Sequence, residues 1–240
     1  MENIFDRTAL LLGKDGLERL RDSRIIVFGV GGVGSWAAEC LIRTGVGNLT
    51  IVDPDMVSAT NINRQLMATT ATVGKPKAEV LKDRLLEINP EAEIKVRTES
   101  FTPESAHTFN LQSYDYVIDA IDSLKDKAEL ILLATSVGVP LLSSMGAALK
   151  LDPTRIHVAE FWDVKGCPLA RALRQRFKRN KTYPKAKFKC VYSDELLQNA
   201  FTSSETCDYK AQINGSLCHI TAIFGMTLAG IAVKGLTNLK

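Results

Sequence analysis

Closely spaced glycines near the N-terminus give the clearest chemical signal in this sequence. Residues 24–35 read RIIVFGVGGVGS, in which Gly29, Gly31 and Gly34 stand at G-x-G-x-x-G spacing and Gly32 is an additional glycine. Glycine allows a sharp turn and a close approach of the backbone to a phosphate, and the N-terminus of a following helix offers unpaired N–H groups. The pattern therefore predicts a phosphate-binding turn between a buried strand and a helix.

Charged residues downstream of the glycines indicate which nucleotide is bound. Asp53 ends the apolar run LTIVD about 20 residues later, where a carboxylate can accept hydrogen bonds from a ribose. Arg64 and Lys77 lie in TNINRQ and GKPKAE, and Asp122 lies in DAIDS, where it suits either a magnesium ion or the start of a helix. A dinucleotide needs few cations because its pyrophosphate rests on backbone N–H groups, whereas a triphosphate needs cationic side chains and a metal ion. These residues favour ATP with Mg²⁺, and NAD-dependent redox chemistry remains the alternative.

The elements that must position these residues alternate along the first part of the chain. Hydrophobic periodicity predicts one or two short helices within residues 6–22, followed by alternating strands and helices. The predicted strands are 24–28, 49–53, 93–98, 115–119 and 139–143, and the predicted helices are 33–44, 76–88 and 126–137. This order is typical of an α/β, Rossmann-like fold, a mostly parallel sheet with helices on both faces. Ligands in such folds lie at the carboxyl ends of the strands, so the residues above should converge there.

The pattern changes after residue 150, and we interpret the remainder as a C-terminal extension. We predict a strand at 155–162, a polar loop at 194–212 and an apolar helix at 220–233. Residues 165–193 hold ten lysines and arginines and no acidic residue. We therefore predict a single domain over residues 1–240, with the nucleotide-binding core in 1–150 and a substrate-contacting, dimer-forming extension in 151–240.

The composition is that of an ordinary globular protein. The 240 residues carry a formal net charge of +3 and are 45% hydrophobic. Five scattered cysteines form no C-x-x-C pair, which argues against a structural zinc site and a disulfide framework and favours a reducing compartment. The N-terminus lacks a signal-peptide pattern, and the uncharged stretch 220–233 is shorter than the roughly 20 residues that span a bilayer. We expect a cytoplasmic protein without a membrane segment, and a core or interface helix at 220–233.

Five motifs, in this order, resemble those of the adenylating family that includes ubiquitin-activating enzymes and bacterial sulfur-carrier activators: GVGGVGS, VDPD, NINRQ, GKPK and DAID. The resemblance implies that ATP is bound with Mg²⁺ and that a carboxylate attacks the α-phosphate, giving an acyl-adenylate and pyrophosphate. It assigns nucleotide binding to Gly29, Gly31, Gly32, Gly34, Asp53, Asp55, Asn61, Asn63, Arg64, Gln65, Lys77, Asp122 and Ser123. Within that set it implies catalytic roles for Arg64, Lys77 and Asp122, with Asp122 as the metal ligand. FDRT at 5–8 resembles the family's N-terminal arginine motif, which implies a homodimer in which Arg7 enters the partner subunit's site.

Longer stretches resemble one branch of that family, the tRNA threonylcarbamoyladenosine dehydratases. These stretches are 143–179, which begins SSMGAALKL, and FDRTALLLGKDGLERL at 5–20. The resemblance implies that the threonyl carboxylate of N6-threonylcarbamoyladenosine at position 37 of tRNA is adenylated and closed into a ring. Such a reaction needs no zinc-held thiol, acceptor cysteine or carrier protein, in agreement with the lack of C-x-x-C pairs. Activation of a sulfur-carrier or ubiquitin-like C-terminus is the alternative, and a monovalent cation, Na⁺ or K⁺, is a further candidate cofactor.

The basic stretch 165–193 offers a surface for that RNA. Cations neutralise phosphates, and aromatic side chains stack on unpaired bases. The predicted RNA-contacting cations are Arg171, Arg174, Arg176, Lys178, Arg179 and Lys181, interleaved with Phe177, Tyr183 and Phe188. A solvated helix face and a non-catalytic tRNA-binding scaffold remain alternatives. The sequence singles out no general base among His107, His157 and His219.

Overall fold

The structure is a computed structural model that describes residues 3–201 and 214–237. The strands are β1 (Arg24–Phe28), β2 (Asn48–Val52), β3 (Glu93–Arg97), β4 (Tyr116–Asp119), β5 (Leu141–Ser144), β6 (Ile156–Glu160) and β7 (Lys189–Ser193). The helices are α1 (Asp6–Asp22), α2 (Gly34–Thr44), α3 (Lys77–Ile88), α4 (Leu124–Val137), α5 (Pro168–Asn180) and α6 (Cys218–Thr237). Cys207 and most of the predicted loop at 194–212 lie outside the described residues, and residues 194–201 form neither helix nor strand.

In this part of the chain, seven strands form one sheet in the order β3-β2-β1-β4-β5-β7-β6. Neighbouring strands are parallel except β6, which runs antiparallel to β7. Phe28 is in register with Val52 on one side and with Asp119 on the other, so β1, β2 and β4 end at the same level. The Rossmann-like fold with a mostly parallel sheet is thereby confirmed. The predicted ligand-binding edge is the carboxyl edge, at which these three strands end.

Alternate residues of β1 pack into hydrophobic cores on opposite faces of the sheet. Ile25 and Val27 contribute to a core that includes residues of α2, α3 and α6, whereas Ile26 and Phe28 contribute to a core that includes residues of α4 and α5. All four side chains are fully buried. Because both faces of the sheet are covered, the strand is apolar throughout rather than alternating with polar residues.

The C-terminal helix α6 is long and apolar enough to cross a membrane by length and composition alone, but half of its most apolar window is buried inside the protein. Its Gly225 lies against α2, where a Cβ atom would overlap the Val33 carbonyl oxygen. Glycine therefore allows the two helices to approach closely. The predicted core helix is confirmed and extends beyond 220–233 at both ends, whereas its role in a dimer interface stays a prediction.

Two further elements lie within residues 165–193, the basic stretch predicted from the sequence to be a surface. Helix α5 buries Phe177, and β7 forms an interior strand of the sheet. Phe177 and Phe188 are 0% and 4% exposed, and Phe188 stacks on Phe161 with ring centroids 5.0 Å apart. The prediction that these two phenylalanines stack on RNA bases is therefore wrong, since burial in the core is what such large apolar rings favour. Tyr183 is exposed.

Candidate nucleotide and metal site

The glycine turn joins β1 to α2 and is shaped by two contacts that exclude a side chain. Gly29 has a φ of +80°, and a Cβ atom there would lie 2.8 Å from the Ala120 carbonyl oxygen. A Cβ atom at Gly34 would overlap the Gly29 carbonyl oxygen. By contrast, the Cβ position of Gly31 lies 3.7 Å from its nearest neighbour, Gln65 Nε2. The outer glycines therefore close the turn against the protein, and Gly31 lies on its open side, where a phosphate can approach.

Asp53, directly after β2, links this turn to the next loop. Its side chain is 5% exposed, Oδ2 accepts a hydrogen bond from the Val30 N–H at 2.8 Å, and Oδ1 accepts one from the Asp55 N–H at 2.9 Å. Burial raises the pKa of the Asp53 carboxyl group, and the positive charge of Lys77 partly offsets that increase. Each oxygen keeps a lone pair that can accept a hydrogen bond from a ribose hydroxyl, the role expected of an acid at this strand end.

Lys77 is the first residue of α3 and is only 6% exposed. Its Nζ lies 2.7 Å from Asp55 Oδ2, and its backbone N–H donates to the Asp55 carbonyl oxygen at 2.9 Å. The side chain of Asp55 is 64% exposed, so this carboxylate can turn into solvent at little cost. An incoming phosphate can therefore replace Asp55 as the partner of an ammonium group that is already in position.

Asn61 and Asn63 shape the loop that follows β2. Asn61 is buried, and its Oδ1 accepts a hydrogen bond from the Ser58 N–H at 3.1 Å at the start of a short 3-10 helix. Asn63 Nδ2 donates to the Ser216 carbonyl oxygen at 2.8 Å and so joins this loop to the segment before α6. Both side chains support the loop, and their contacts with a nucleotide stay predictions.

Arg64 and Asp122 come from the loops after β2 and β4 and lie near each other. Arg64 Nη1 donates to two oxygens of its own loop, each at 2.9 Å. Burial lowers the pKa of Arg64, and the negative charge of Asp122 acts in the opposite direction. The residue that caps α4 is Ser123, whose Oγ accepts a hydrogen bond from the Asp126 N–H at 3.4 Å. The alternative in which Asp122 caps that helix is therefore wrong, and Asp122 lies close enough to Arg64 for the two charges to interact.

Gln65 places an unsatisfied acceptor at the site. Its side chain is 6% exposed, and within the described residues its Oε1 has no hydrogen-bond partner. A buried acceptor left without a partner costs about 1–3 kcal/mol. Such a group is expected where a ligand or a water molecule completes the hydrogen bond. Because Gln65 lies beside Gly31, a nucleotide bound at the glycine turn could be that ligand.

The first turn of α6 forms another wall of the site, which was not predicted from the sequence. A Cβ atom at Gly32 would lie 3.2 Å from the Thr221 methyl group, and Thr221 Oγ1 lies 3.5 Å from the Arg64 carbonyl oxygen. Trp36 Nε1 donates to the same carbonyl oxygen at 3.1 Å. Since 157 residues separate Thr221 from Arg64, no local pattern could have revealed the contact.

A magnesium ion fits this arrangement through a single carboxylate. Residues 3–201 and 214–237 contain no group of three or more His, Cys, Asp or Glu side chains that could hold a metal by themselves. Mg²⁺ commonly takes one or two carboxylates and completes its coordination with water and phosphate oxygens. Asp122 is exposed, its charge interacts with that of Arg64, and it offers such a carboxylate. The donor set suits a metal that arrives with a nucleotide.

Arg7 is not brought to this site within one chain. It is exposed near the start of α1, which follows Phe5, and the Phe5 ring lies beside Gly45 at the end of α2. Helix α2 starts at the glycine turn and ends at the opposite edge of the sheet, so Arg7 lies near the edge remote from the nucleotide.

The predicted RNA-contacting cations fall into two groups. Arg174 and Arg176 are half-buried: Arg174 Nη1 donates to the Phe161 and Val164 carbonyl oxygens at 3.0 Å, and Arg176 Nη2 lies 3.4 Å from Glu129 Oε1. The exposed members are Arg171, Lys178, Arg179 and Lys181. The first pair is already engaged within the protein, and only the exposed group presents its charge to solvent.

Fold and site together define a nucleotide-binding Rossmann-like protein with cationic side chains near the glycine turn. The chain belongs to the ThiF family, whose model matches residues 5–240. It is 38% identical over 246 residues to the tRNA threonylcarbamoyladenosine dehydratase of Escherichia coli, covering 96% of this chain and 92% of that relative. It is 43% identical over 191 residues to the protein of the same name from Bacillus subtilis, covering 80% and 74%. A crystal structure of the E. coli enzyme in complex with ATP is similar with a TM-score of 0.87 and 37% identity, covering 98% of this chain and 93% of that chain.

Proposed function

We propose that this protein is an ATP-dependent dehydratase that cyclises N6-threonylcarbamoyladenosine at position 37 of tRNA. The observation that carries the proposal is the similarity along almost the whole chain to enzymes of that name, one of which was crystallised with ATP. The glycine turn, the buried Asp53 and the pre-positioned Lys77 support it, because they suit a triphosphate. An enzyme that acts on tRNA is expected in the cytoplasm.

In the first step, an oxygen of the threonyl carboxylate attacks the α-phosphorus of ATP, and the bond to pyrophosphate breaks. In the resulting acyl-adenylate, AMP replaces a carboxylate oxygen, which is a poor leaving group, as the group that leaves the carbonyl carbon. Lys77 and Arg64 neutralise the charge on the phosphates, while Asp53 orients the ribose. Asp122 holds Mg²⁺, which supplies further charge neutralisation when it is bound. Gly31, on the open side of the glycine turn, contacts the phosphates.

In the second step, a nucleophilic atom of the same side chain attacks the activated carbonyl carbon, and the bond to AMP breaks as the ring closes. Nucleophile and carbonyl belong to one molecule, so the reaction benefits from proximity and needs no acceptor thiol. The oxygen that the nucleoside loses leaves on AMP. The products are the cyclic nucleoside, AMP and pyrophosphate.

The proposal includes a homodimer in which Arg7 enters the partner subunit's site. Arg7 lies remote from the glycine turn of its own chain, so an action within one subunit would require a large movement of α1. Leu10 and Leu11, close to Arg7 on α1, are 88% and 80% exposed. Exposed apolar side chains that lie together are typical of an interaction surface. A partner subunit that covered these side chains would lie next to Arg7 on the same helix.

The exposed cations of α5 supply the proposed contact with tRNA. Arg171 and Lys178 are seven residues apart and so share one face of the helix, and Arg179 and Lys181 extend the charge beyond it. A row of cations of this kind can neutralise successive phosphates of an RNA backbone. The absence of acidic residues from 165–193 favours a polyanion over a merely solvated surface.

The test is to incubate the protein with tRNA that carries threonylcarbamoyladenosine, in the presence of ATP and Mg²⁺, and to measure the nucleoside mass. We expect that nucleoside to lose the mass of one water, with AMP and pyrophosphate formed in equal amounts. An unchanged nucleoside would reject the proposal. If instead pyrophosphate exchange required a small carrier protein and ignored ribonuclease, the protein would be an activator of a carrier C-terminus.

A further inference from the structure

A buried ion pair lies next to the loop that carries Asp122. Lys127 Nζ is 2.8 Å from Asp119 Oδ2, and both side chains are 0% exposed. Ser143 Oγ, from the neighbouring strand β5, donates to the same Asp119 oxygen at 2.6 Å. Removing two charges from water costs several kcal/mol each, and only close geometry and additional hydrogen bonds offset that cost. A hydrophobic pair of similar volume would fill the same space without the cost of removing charges from water. This ion pair is therefore expected to have a role other than packing.

The ion pair holds the peptide groups of the residue just before Asp122. Asp119 Oδ1 accepts a hydrogen bond from the Ile121 N–H at 3.1 Å, and Lys127 Nζ donates to the Ile121 carbonyl oxygen at 2.9 Å. The N–H and the carbonyl of one residue are thus bound by two opposite charges that also bind each other. The Ile121 carbonyl belongs to the planar peptide group that leads into Asp122, so its orientation fixes the direction in which the chain enters Asp122.

The same segment also lies against the glycine turn. A Cβ atom at Gly29 would lie 2.8 Å from the Ala120 carbonyl oxygen and 3.2 Å from the Ile121 nitrogen. The backbone at residues 120–121 is therefore in direct contact with the turn that faces the phosphates. Any shift of this segment changes the distance between the Asp122 carboxylate and that turn.

We propose that Asp119, Lys127 and Ser143 form a positioning network that sets the Asp122 carboxylate at a fixed distance from the glycine turn. The inference rests on the proposed function, in which Asp122 holds the Mg²⁺ of ATP. The three side chains are buried and act through the backbone rather than on the substrate. The Mg²⁺-dependent part of ATP binding therefore depends on the network, whereas the contacts of Asp53 with the ribose do not.

Two variants weaken the network without leaving a buried charge unpaired. Ser143→Ala removes one hydrogen bond, and the double variant Asp119→Asn/Lys127→Met removes both charges while keeping side chains of similar volume. Ser144→Ala is the matched control. Ser144 is also buried, but its hydroxyl donates to the Met145 carbonyl oxygen at 2.9 Å, outside the network.

Calorimetry on the full chain measures ATP affinity with Mg²⁺ and with EDTA, and electron paramagnetic resonance follows Mn²⁺ bound in the ATP complex. We expect Ser143→Ala to weaken ATP binding about five- to tenfold with Mg²⁺, the loss that corresponds to the typical net contribution of one intramolecular hydrogen bond. Affinity in EDTA should equal that of the wild type. In the double variant, Mg²⁺ should increase ATP affinity less than it does in Ser143→Ala, and less Mn²⁺ should be bound in the ATP complex. Ser144→Ala should match the wild type in both measurements.

A purely structural role gives a different result. Equal losses with and without metal, or a lower melting temperature with an unchanged Mg²⁺ effect, would overturn the inference, and Ser143→Ala decides this even if the double variant does not fold. A wild-type protein that binds ATP without regard to Mg²⁺ would overturn the metal role of Asp122 together with the inference. A normal Mg²⁺ response in the wild type with insensitive variants would overturn the inference alone.

Discussion

The two parts of the molecule use cationic side chains in different ways. Before residue 150, the cations near the site lie next to carboxylates: Lys77 pairs with Asp55, and Lys127 pairs with Asp119. In α5, by contrast, Lys178 and Arg179 are exposed in a stretch that contains no acidic residue.

This difference matches the ligands proposed for the two parts. A paired cation is held in one position, which suits a compact ligand bound in a single geometry, and at Lys77 a phosphate can replace the exposed Asp55 as the partner. A row of exposed cations has no fixed geometry but attracts any extended polyanion. The contrast predicts that variants of the first part abolish chemistry, whereas variants of the second part weaken RNA binding in a graded, salt-dependent manner.

The largest effect is expected for Lys77→Met, which removes the paired ammonium. Its exposed partner, Asp55, is then left in solvent rather than buried, so the protein should still fold. Removing one pre-positioned donor to a developing negative charge typically lowers the rate about 10²- to 10³-fold. AMP formation with modified tRNA measures the loss, and Lys75→Met, an exposed lysine two residues away, should retain full activity.

The Lys77 variant also tests whether Arg7 acts across the dimer. Arg7→Ala should be inactive by itself, and mixing it with Lys77→Met after subunit exchange should restore about one quarter of wild-type activity, since half of the dimers then contain one intact site. If Arg7 acted within its own subunit, every mixed dimer would carry two defective sites and mixing would restore nothing.

A smaller, graded effect is expected for the double variant Lys178→Gln/Arg179→Gln. Each lost phosphate contact should reduce the slope of log affinity against log salt by about one, and tRNA binding should weaken at low salt. ATP affinity should not change, because these side chains lie at the end of α5 and not at the glycine turn. Filter binding of tRNA over a series of salt concentrations measures both quantities.

Arg174→Gln is the control for that variant within the same helix. Arg174 donates to two carbonyl oxygens, so its loss should lower the free energy of unfolding and leave the salt slope of tRNA binding unchanged. An equal fall in slope for both variants would mean that the division between engaged and exposed cations is irrelevant to RNA binding.

The sequence predicted the nucleotide part well because its signals are local. The glycine spacing and the apolar run before it lie within a dozen residues, and β1 has the predicted bounds. Helix α3 begins one residue later than predicted and ends at the predicted residue. Asp53 was predicted at the carboxyl end of a strand for the same reason, and β2 ends at Val52, directly before it.

Two features could not be read from the sequence in this way. In α5, the buried residues Ala170, Leu173 and Phe177 follow helical spacing, but the cations between them dominated the composition, so neither the helix nor the burial of Phe177 was predicted. Thr221 reaches the site only through the packing of α6, and Ser143 meets Asp119 only through the order of the strands, and both are properties of the whole fold.

The smallest effect is expected when a charge pair before residue 150 that lies away from the glycine turn is broken, because only the stability of the protein should change. Glu39 on α2 is nearly buried and accepts hydrogen bonds from Arg84 Nε at 2.6 Å and Arg43 Nε at 2.8 Å. Burial by itself raises the pKa of Glu39, but the hydrogen bonds from the two arginines outweigh it and the pKa is lowered. Because the folded pKa lies below the unfolded one, the ionised form contributes stability above the unfolded pKa, and this contribution is lost as the pH falls through the folded pKa.

Glu39→Gln should therefore lower the free energy of unfolding at pH 7 by about 1 kcal/mol, a small value because solvent screens the two half-exposed arginines. The difference from the wild type should persist down to about pH 4.5 and shrink below it. Urea denaturation at pH 7, 5 and 4 measures the change, and Glu93→Gln, which breaks an exposed pair with Lys95, should have no measurable effect. If Glu39→Gln lowered the free energy of unfolding equally at pH 7, 5 and 4, Glu39 would stabilise the protein through packing and not through its charge. The charge pairs before residue 150 would then contribute to nucleotide binding but not to stability.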